Sequence, residues 1–221
     1  MIYCIGDSFT YGDELFDPAN DAWPALLGKM LNCSVTNMGR KATGNTRIVK
    51  RVIDVAYKKD TDIIIIAWTG PNRLEFHDHE PYDIWPGRDT RAIMPTKIIR
   101  HIGTDYLTKS HTEKWDTWAH RQWFRDVILT QNLLENQNKK YLMMVAWHNW
   151  NPLLEYQDLW DKINFKYFLG HPSISNSPDY ETFCYWANGC PRGPGGHPLE
   201  LGHQRIAEKI NEHIRHLGWV S

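Results

Sequence analysis

The sequence lacks the features that mark several common classes of protein. Its 221 residues carry a formal net charge of −1 with scattered basic residues, which argues against nucleic-acid and anionic-membrane partners. The longest apolar runs, 63–68 and 141–147, are too short to span a bilayer, and the N-terminus lacks the charged and long apolar regions of a signal peptide. We therefore expect a soluble, cytoplasmic protein.

Cysteine is scarce, and metal-binding and nucleotide-binding motifs are missing. The four cysteines include no Cys-x-x-Cys pair, and only Cys184 and Cys190 are candidates for a disulfide. The His-rich and acidic run 76–80 has no third spaced ligand, so we expect no metal. Neither Gly-x-Gly-x-x-Gly nor a Gly-Lys-Ser/Thr loop is present, which disfavours nucleotide binding and leaves no cofactor indicated.

Apolar runs alternate with helical periodicity along the chain, and this alternation predicts one α/β domain spanning 1–221. A parallel sheet covered by helices on both faces is the expected architecture, which makes a three-layer α/β/α sandwich. The predicted strands are Ile2–Ile5, Ser34–Asn37, Asp62–Trp68 and Lys140–Trp147. The predicted helices are Ala22–Leu31, Asn45–Tyr57, Lys114–Asn136 and Leu201–Leu217.

Two stretches without steady periodicity, about 70–113 and 148–196, are predicted to be long loops over the carboxyl edge of the sheet. Ligands of open α/β sheets bind at this edge, so we expect the functional site there. His148 follows the fourth strand and either lines this cleft or lies on the surface. The tryptophans in or near these loops either stack on a sugar ring or acyl chain or pack their own loops; they are Trp85, Trp115, Trp118, Trp123, Trp147, Trp150, Trp160 and Trp186.

A serine near one end of the chain and a histidine near the other are the candidate catalytic pair. Gly6-Asp7-Ser8 directly follows the first strand, and Gly195-Gly196-His197-Pro198 precedes the last helix. A serine hydroxyl is a weak nucleophile unless a base accepts its proton, and His197 can serve as that base. The alternative for Ser8 is an ordinary turn with a helix cap, and we expect Asp7 to be structural.

These positions resemble the SGNH (GDSL) hydrolase family, whose site residues come from four separated sequence blocks. The first block is Ile5-Gly6-Asp7-Ser8-Phe9-Thr10-Tyr11-Gly12, and the resemblance makes Ser8 the nucleophile. The second block has an asparagine with a glycine five residues later; here Asn37 is followed by Ala42, with Gly44 two further on. The third block is Gly70-Pro71-Asn72-Arg73, in a form similar to that of phage-encoded members.

The resemblance implies an oxyanion hole and a catalytic histidine. The hydrogen-bond donors of this oxyanion hole would be the N–H of Ser8, the N–H of Ala42 or Gly44, and the side-chain amide of Asn72. In the fourth block the family has Asp-x-x-His, but Pro194 stands three residues before His197. A Ser-His dyad is therefore expected, with Asp179 and Glu181 as alternative orienting acids from the preceding loop.

A flavodoxin-like fold and a serine ester hydrolase are what the resemblance implies. The substrate would be a small acyl or acetyl ester, and an acylated carbohydrate is one candidate suggested by the aromatic loops. The alternative is an SGNH-like protein with weakened catalysis that binds glycan or forms part of a virion. The oligomeric state is left open.

Overall fold

The computed structural model describes residues 1–71, 73, 113–146, 156–171 and 181–220, with the side chains of 113–117 excepted. Its sheet has four parallel strands in the order β2-β1-β3-β4. These are β1 (Ile2–Ile5), β2 (Val35–Asn37), β3 (Ile63–Trp68) and β4 (Lys140–Val145). Helices flank the sheet, and the predicted α/β fold with a parallel sheet is confirmed.

Helices connect the strands and cover the sheet. The long ones are α3 (Trp23–Leu31), α4 (Asn45–Ala56), α5 (Glu113–Asn136) and α8 (Glu200–His216). The short ones are α1 (Ser8–Tyr11), α2 (Pro18–Asp21), α6 (Gln157–Trp160) and α7 (Phe183–Trp186), with a 3₁₀ turn at Phe165–Tyr167. The four helices predicted from periodicity correspond to the four long ones.

Alternate residues of each strand point to opposite faces, which divides the core in two. Ile64 and Ile66 of β3 pack with α4 and α5 on one face. Ile63 and Ile65 pack with α3 and α8 on the other. Every residue of β3 is buried, and a continuous apolar run is the pattern that such a two-faced strand requires.

The described part of the region predicted as the second long loop contains regular secondary structure. It includes α6, α7 and the 3₁₀ turn, and Phe168 forms a parallel bridge with Met143 of β4. Phe183 is fully buried in the core. One-turn helices are too short to show a helical period in the sequence, which explains why no helix was predicted here.

The sheet order creates a topological switch point between β1 and β3. The connection from the carboxyl end of β1 leads to β2 on one side, whereas the connection from the carboxyl end of β3 leads to β4 on the other. In open α/β sheets this switch point is the usual ligand site.

Within the part of the chain that the structure describes, none of the helices is both long and apolar enough to cross a membrane.

Candidate functional site

Ser8 is held at the carboxyl end of β1 by a short, capped helix. Asp7 is the N-cap of α1, and its side chain accepts a hydrogen bond of 3.0 Å from the Phe9 N–H. Ser8 is the first residue of that helix and is 4% exposed. A capped turn directly after a buried strand fixes where the hydroxyl points.

His197 meets Ser8 from the other end of the chain. Its Nε2 lies 2.9 Å from the Ser8 Oγ, within the range for proton transfer between a nucleophile and its base. The Phe9 ring packs against the imidazole with centroids 5.0 Å apart. The Gly193 N–H donates to the His197 carbonyl, which closes the turn before the histidine. The two residues singled out in the sequence are therefore in hydrogen-bond contact.

The other ring nitrogen of His197 is bonded to Glu14, a residue that the sequence reasoning missed. The Glu14 Oε2 lies 2.9 Å from Nδ1 and also accepts the backbone N–H of His197 at 3.0 Å. Its Oε1 accepts the Gly195 N–H at 2.6 Å. That bond from Gly195, followed by those from His197, holds the pKa of Glu14 below its usual value, although partial burial opposes the shift.

The orienting acids proposed from the sequence do not take this place in the described residues. The Glu181 carboxylate instead accepts the Trp186 Nε1–H at 2.7 Å. Asp179 lies outside the described residues. The one signal in the sequence that points to Glu14 is a carboxylate six residues after the candidate nucleophile, in a chain with Pro194 at the family's acid position.

Asp7 has a structural network of its own. Its Oδ2 accepts hydrogen bonds from the Thr69 hydroxyl at 2.8 Å and from an Arg73 guanidinium nitrogen at 3.2 Å. Burial raises the pKa of Asp7, an effect that the charge of Arg73 and the bonds from Thr69 and Phe9 oppose. Arg73, the last residue of the third block, thus forms an ion pair with Asp7 of the first block.

The backbone at Ala42 is left-handed, with φ +55, whereas Gly44 has an extended φ of −88 and is the N-cap of α4. Alanine thus occupies a conformation that glycine adopts more readily. Asn72, the third expected oxyanion donor, lies outside the described residues.

Side-chain amides join the first three sequence blocks at the carboxyl edge of the sheet. Asn37 donates to the Thr10 carbonyl at 2.9 Å, which joins the second block to the first. Asn45 donates to the Thr69 and Gly70 carbonyls and accepts the Thr69 N–H, which joins α4 to the end of β3. The segment of Ala42 and Gly44 is thereby anchored at both ends.

The remaining sequence candidates divide into core residues and residues that the structure does not describe. Trp123 and Trp186 are buried in the core, Trp160 packs against it, and Trp118 is 44% exposed. The four cysteines are free thiols, so the candidate pair of Cys184 and Cys190 is not bonded. Outside the described residues or side chains lie Trp85, Trp115, Trp147, Trp150, His148 and the run 76–80.

Solved structures with the same fold are GDSL-type hydrolases and esterases. A putative lipolytic protein of the G-D-S-L family from Desulfitobacterium hafniense DCB-2 has a TM-score of 0.52 at 14% identity, covering 96% of this chain and 98% of that one. TesA has a TM-score of 0.54 at 12% identity, with 98% of both chains covered. A family two carbohydrate esterase from Clostridium thermocellum, in complex with cellohexaose, has a TM-score of 0.52 at 16% identity, covering 99% of this chain and 65% of that one.

Sequence comparison places the chain in one family. None of the curated proteins matches it. The family of unknown function DUF6071 matches residues 13–221, a span that includes Glu14 and His197 and begins after Ser8. The chain belongs to this family, DUF6071, and it has the α/β fold of the SGNH hydrolases.

Proposed function

We propose that the protein is a serine ester hydrolase in which Ser8 is the nucleophile and His197 the general base. The observation that carries the proposal is the 2.9 Å contact between the His197 Nε2 and the Ser8 Oγ at the switch point of the sheet. A turn with an N-cap explains the position of Ser8, but it gives no reason for a histidine 189 positions away to contact the hydroxyl.

The reaction follows from the protons that these two residues exchange. As the Ser8 Oγ attacks the acyl carbon, its proton passes to the His197 Nε2, and the carbonyl electrons move onto the oxygen. His197 then protonates the leaving alcohol, and the carbon–oxygen bond to it breaks. Water, deprotonated by His197, attacks the acyl-enzyme, and the acid departs with Ser8 restored.

The oxyanion would be held by the N–H of Ser8, a backbone N–H near Ala42, and the amide of Asn72. Between Ala42 and Gly44 we favour Ala42, because its left-handed backbone matches the place where the family has glycine. Removing one such donor lowers kcat by about 10²–10³-fold where it has been measured. We expect Asn72→Ala to have an effect of that size.

The proposed substrate is a small acyl or acetyl ester, with an acylated carbohydrate as the first class to test. The similarity to a carbohydrate esterase solved with cellohexaose supports this choice. The alternative of a binding or virion protein with weakened catalysis was motivated by Pro194 and by the altered second block. The Glu14 contact with the His197 ring supplies an acid in spite of Pro194, which weakens the first of these two grounds. The phage origin stays a prediction.

The test is hydrolysis of p-nitrophenyl acetate and butyrate from pH 5 to 9, followed by acetylated oligosaccharides. Wild type is compared with Ser8→Ala and with Ser34→Ala, an exposed serine that serves as the matched control. We expect turnover in wild type and Ser34→Ala and none in Ser8→Ala, with rates that rise through the pH range in which histidines lose their proton. Equal rates in all three proteins would contradict the proposal and favour the binding protein.

A further inference from the structure

We propose that Glu14 is the positioning acid of this site, so that the orienting carboxylate comes from the loop after the nucleophile and not from the segment before the histidine. The inference rests on the proposed function of Ser8 and His197. It assigns a role to a residue that lies between them in the chain, giving the order Ser8, Glu14, His197.

The first argument is the geometry of the carboxylate. One oxygen of Glu14 contacts both the ring Nδ1 and the backbone N–H of His197, at 2.9 and 3.0 Å. The other oxygen accepts the Gly195 N–H. Glu14 therefore fixes the imidazole ring and the backbone that carries it, and both contacts are needed to hold Nε2 against Ser8.

The second argument is the shape of the glycine-rich turn that receives Glu14. A Cβ on Gly193 would lie 2.6 Å from the Glu14 Cδ, and one on Gly195 would lie 3.1 Å from its Oε2. A side chain on Gly193 would displace the carboxylate, and one on Gly195 would crowd it. Pro194, which replaces the family's aspartate, thus stands between two residues whose lack of a side chain makes room for the substitute acid.

The third argument is that the Glu14 backbone adopts an uncommon conformation. Its φ is +70, which is rare for residues other than glycine, asparagine and aspartate. The Asp13 side chain accepts the Glu14 N–H at 3.0 Å, and Asp13 in turn pairs with Lys41. Strained backbone persists where surrounding contacts fix it, and at functional sites it often serves the mechanism.

The chemical consequence concerns the tautomer of His197. A carboxylate at Nδ1 accepts a hydrogen bond from the N–H of that nitrogen, so the proton of the neutral ring stays on Nδ1 and the lone pair is on Nε2, facing the Ser8 hydroxyl. The same carboxylate stabilises the imidazolium that forms when Ser8 attacks. Its hydrogen bonds lower the pKa of Glu14, which keeps it ionised over the range where histidines titrate.

The decisive variant is Glu14→Gln, with Glu208→Gln on the exposed face of α8 as the matched control. Glutamine can donate to Nδ1 and so favours the wrong tautomer. We expect kcat to fall by about 10⁴-fold with KM changed little, as for loss of the orienting acid in a serine triad. Glu208→Gln should keep wild-type rates.

The pH profile separates positioning from a merely structural contact. In Glu14→Gln the acid limb of kcat/KM should move to lower pH, because the charge that stabilises the imidazolium is gone. Among the described residues, Asp7 and His203 also interact electrostatically with His197, and both are unchanged in this variant. An unshifted acid limb would contradict the inference.

A measurement on the wild type alone makes the test independent of folding of the variant. The ¹⁵N shifts of the His197 ring, assigned by their loss in His197→Ala, report which nitrogen carries the proton. The proposal requires the Nδ1–H form in the neutral ring, and an Nε2–H form would overturn it.

The two proposals can fail separately. If Ser8→Ala abolishes hydrolysis while Glu14→Gln keeps wild-type kcat, the role of Glu14 is wrong and the esterase stands. If Ser8→Ala hydrolyses as fast as wild type, the esterase itself is wrong.

Discussion

Acidification should destabilise the protein through His203, a fully buried histidine in α8. Its Nδ1 accepts a hydrogen bond of 3.2 Å from the Trp23 N–H at the start of α3. A proton on that nitrogen would face the N–H donor and break this hydrogen bond between the two helices. Burial, and to a lesser extent the charge of His197, lowers the pKa of His203 to about 4.

The size of the effect follows from proton linkage. An unfolded histidine has a pKa of about 6.5, so between pH 6.5 and 4 the unfolded chain binds more protons than the folded one. Stability is therefore fully present above pH 6.5 and falls as the pH is lowered toward 4. The His203 contribution is a loss of about 2 kcal/mol at pH 5 and about 3.4 kcal/mol well below pH 4.

The assay is urea unfolding at pH 7.5 and pH 5 for wild type and His203→Asn. Asparagine keeps an acceptor near the Trp23 N–H but does not titrate, so the variant should lose about 2 kcal/mol less than wild type between these pH values. His216→Asn, an exposed position in the same helix, should follow wild type. Equal losses in wild type and His203→Asn would refute the reasoning.

Three further predictions test the site and the residues that support it. Ser8→Ala and His197→Ala should each abolish hydrolysis, and the double variant should lose no more activity in kinetic assays than either single variant. Additive losses would argue against the two residues acting as a unit. Ala42→Gly should raise the free energy of unfolding by about 0.5–1 kcal/mol in urea titrations, because glycine relieves the positive φ, and a loss of stability would contradict this. Asp7→Ala should cost about 3–5 kcal/mol because it removes the carboxylate of a buried ion pair, and Asp7→Ala with Arg73→Met should cost less than the two separate losses combined.

The fold was predictable from the sequence where burial on both faces imposes a continuous apolar run. Strands β3 and β4 were identified for this reason, and the long amphipathic helices for their period. The one-turn helices α6 and α7 have no readable period. Burial of Phe183 within the second predicted loop depends on tertiary packing that local sequence does not encode.

The contact of Ser8 with His197 was predictable because each stands beside a regular element that the sequence reveals. The place of Glu14 was not, since it depends on a left-handed φ in an irregular turn and on a partner 183 positions away. The two glycines that admit its carboxylate look like an ordinary flexible turn in the sequence. Pro194 in place of an aspartate indicated only that something had to replace it.

The most direct test of the account is covalent labelling with a fluorophosphonate that mimics an ester. Attack by the Ser8 Oγ forms an oxygen–phosphorus bond and expels fluoride, while His197 takes the serine proton. Mass spectrometry should find one adduct per chain, on the peptide that contains Ser8, and none in Ser8→Ala. An adduct on another residue, or no adduct in a protein that hydrolyses esters, would contradict the claim that Ser8 is the nucleophile.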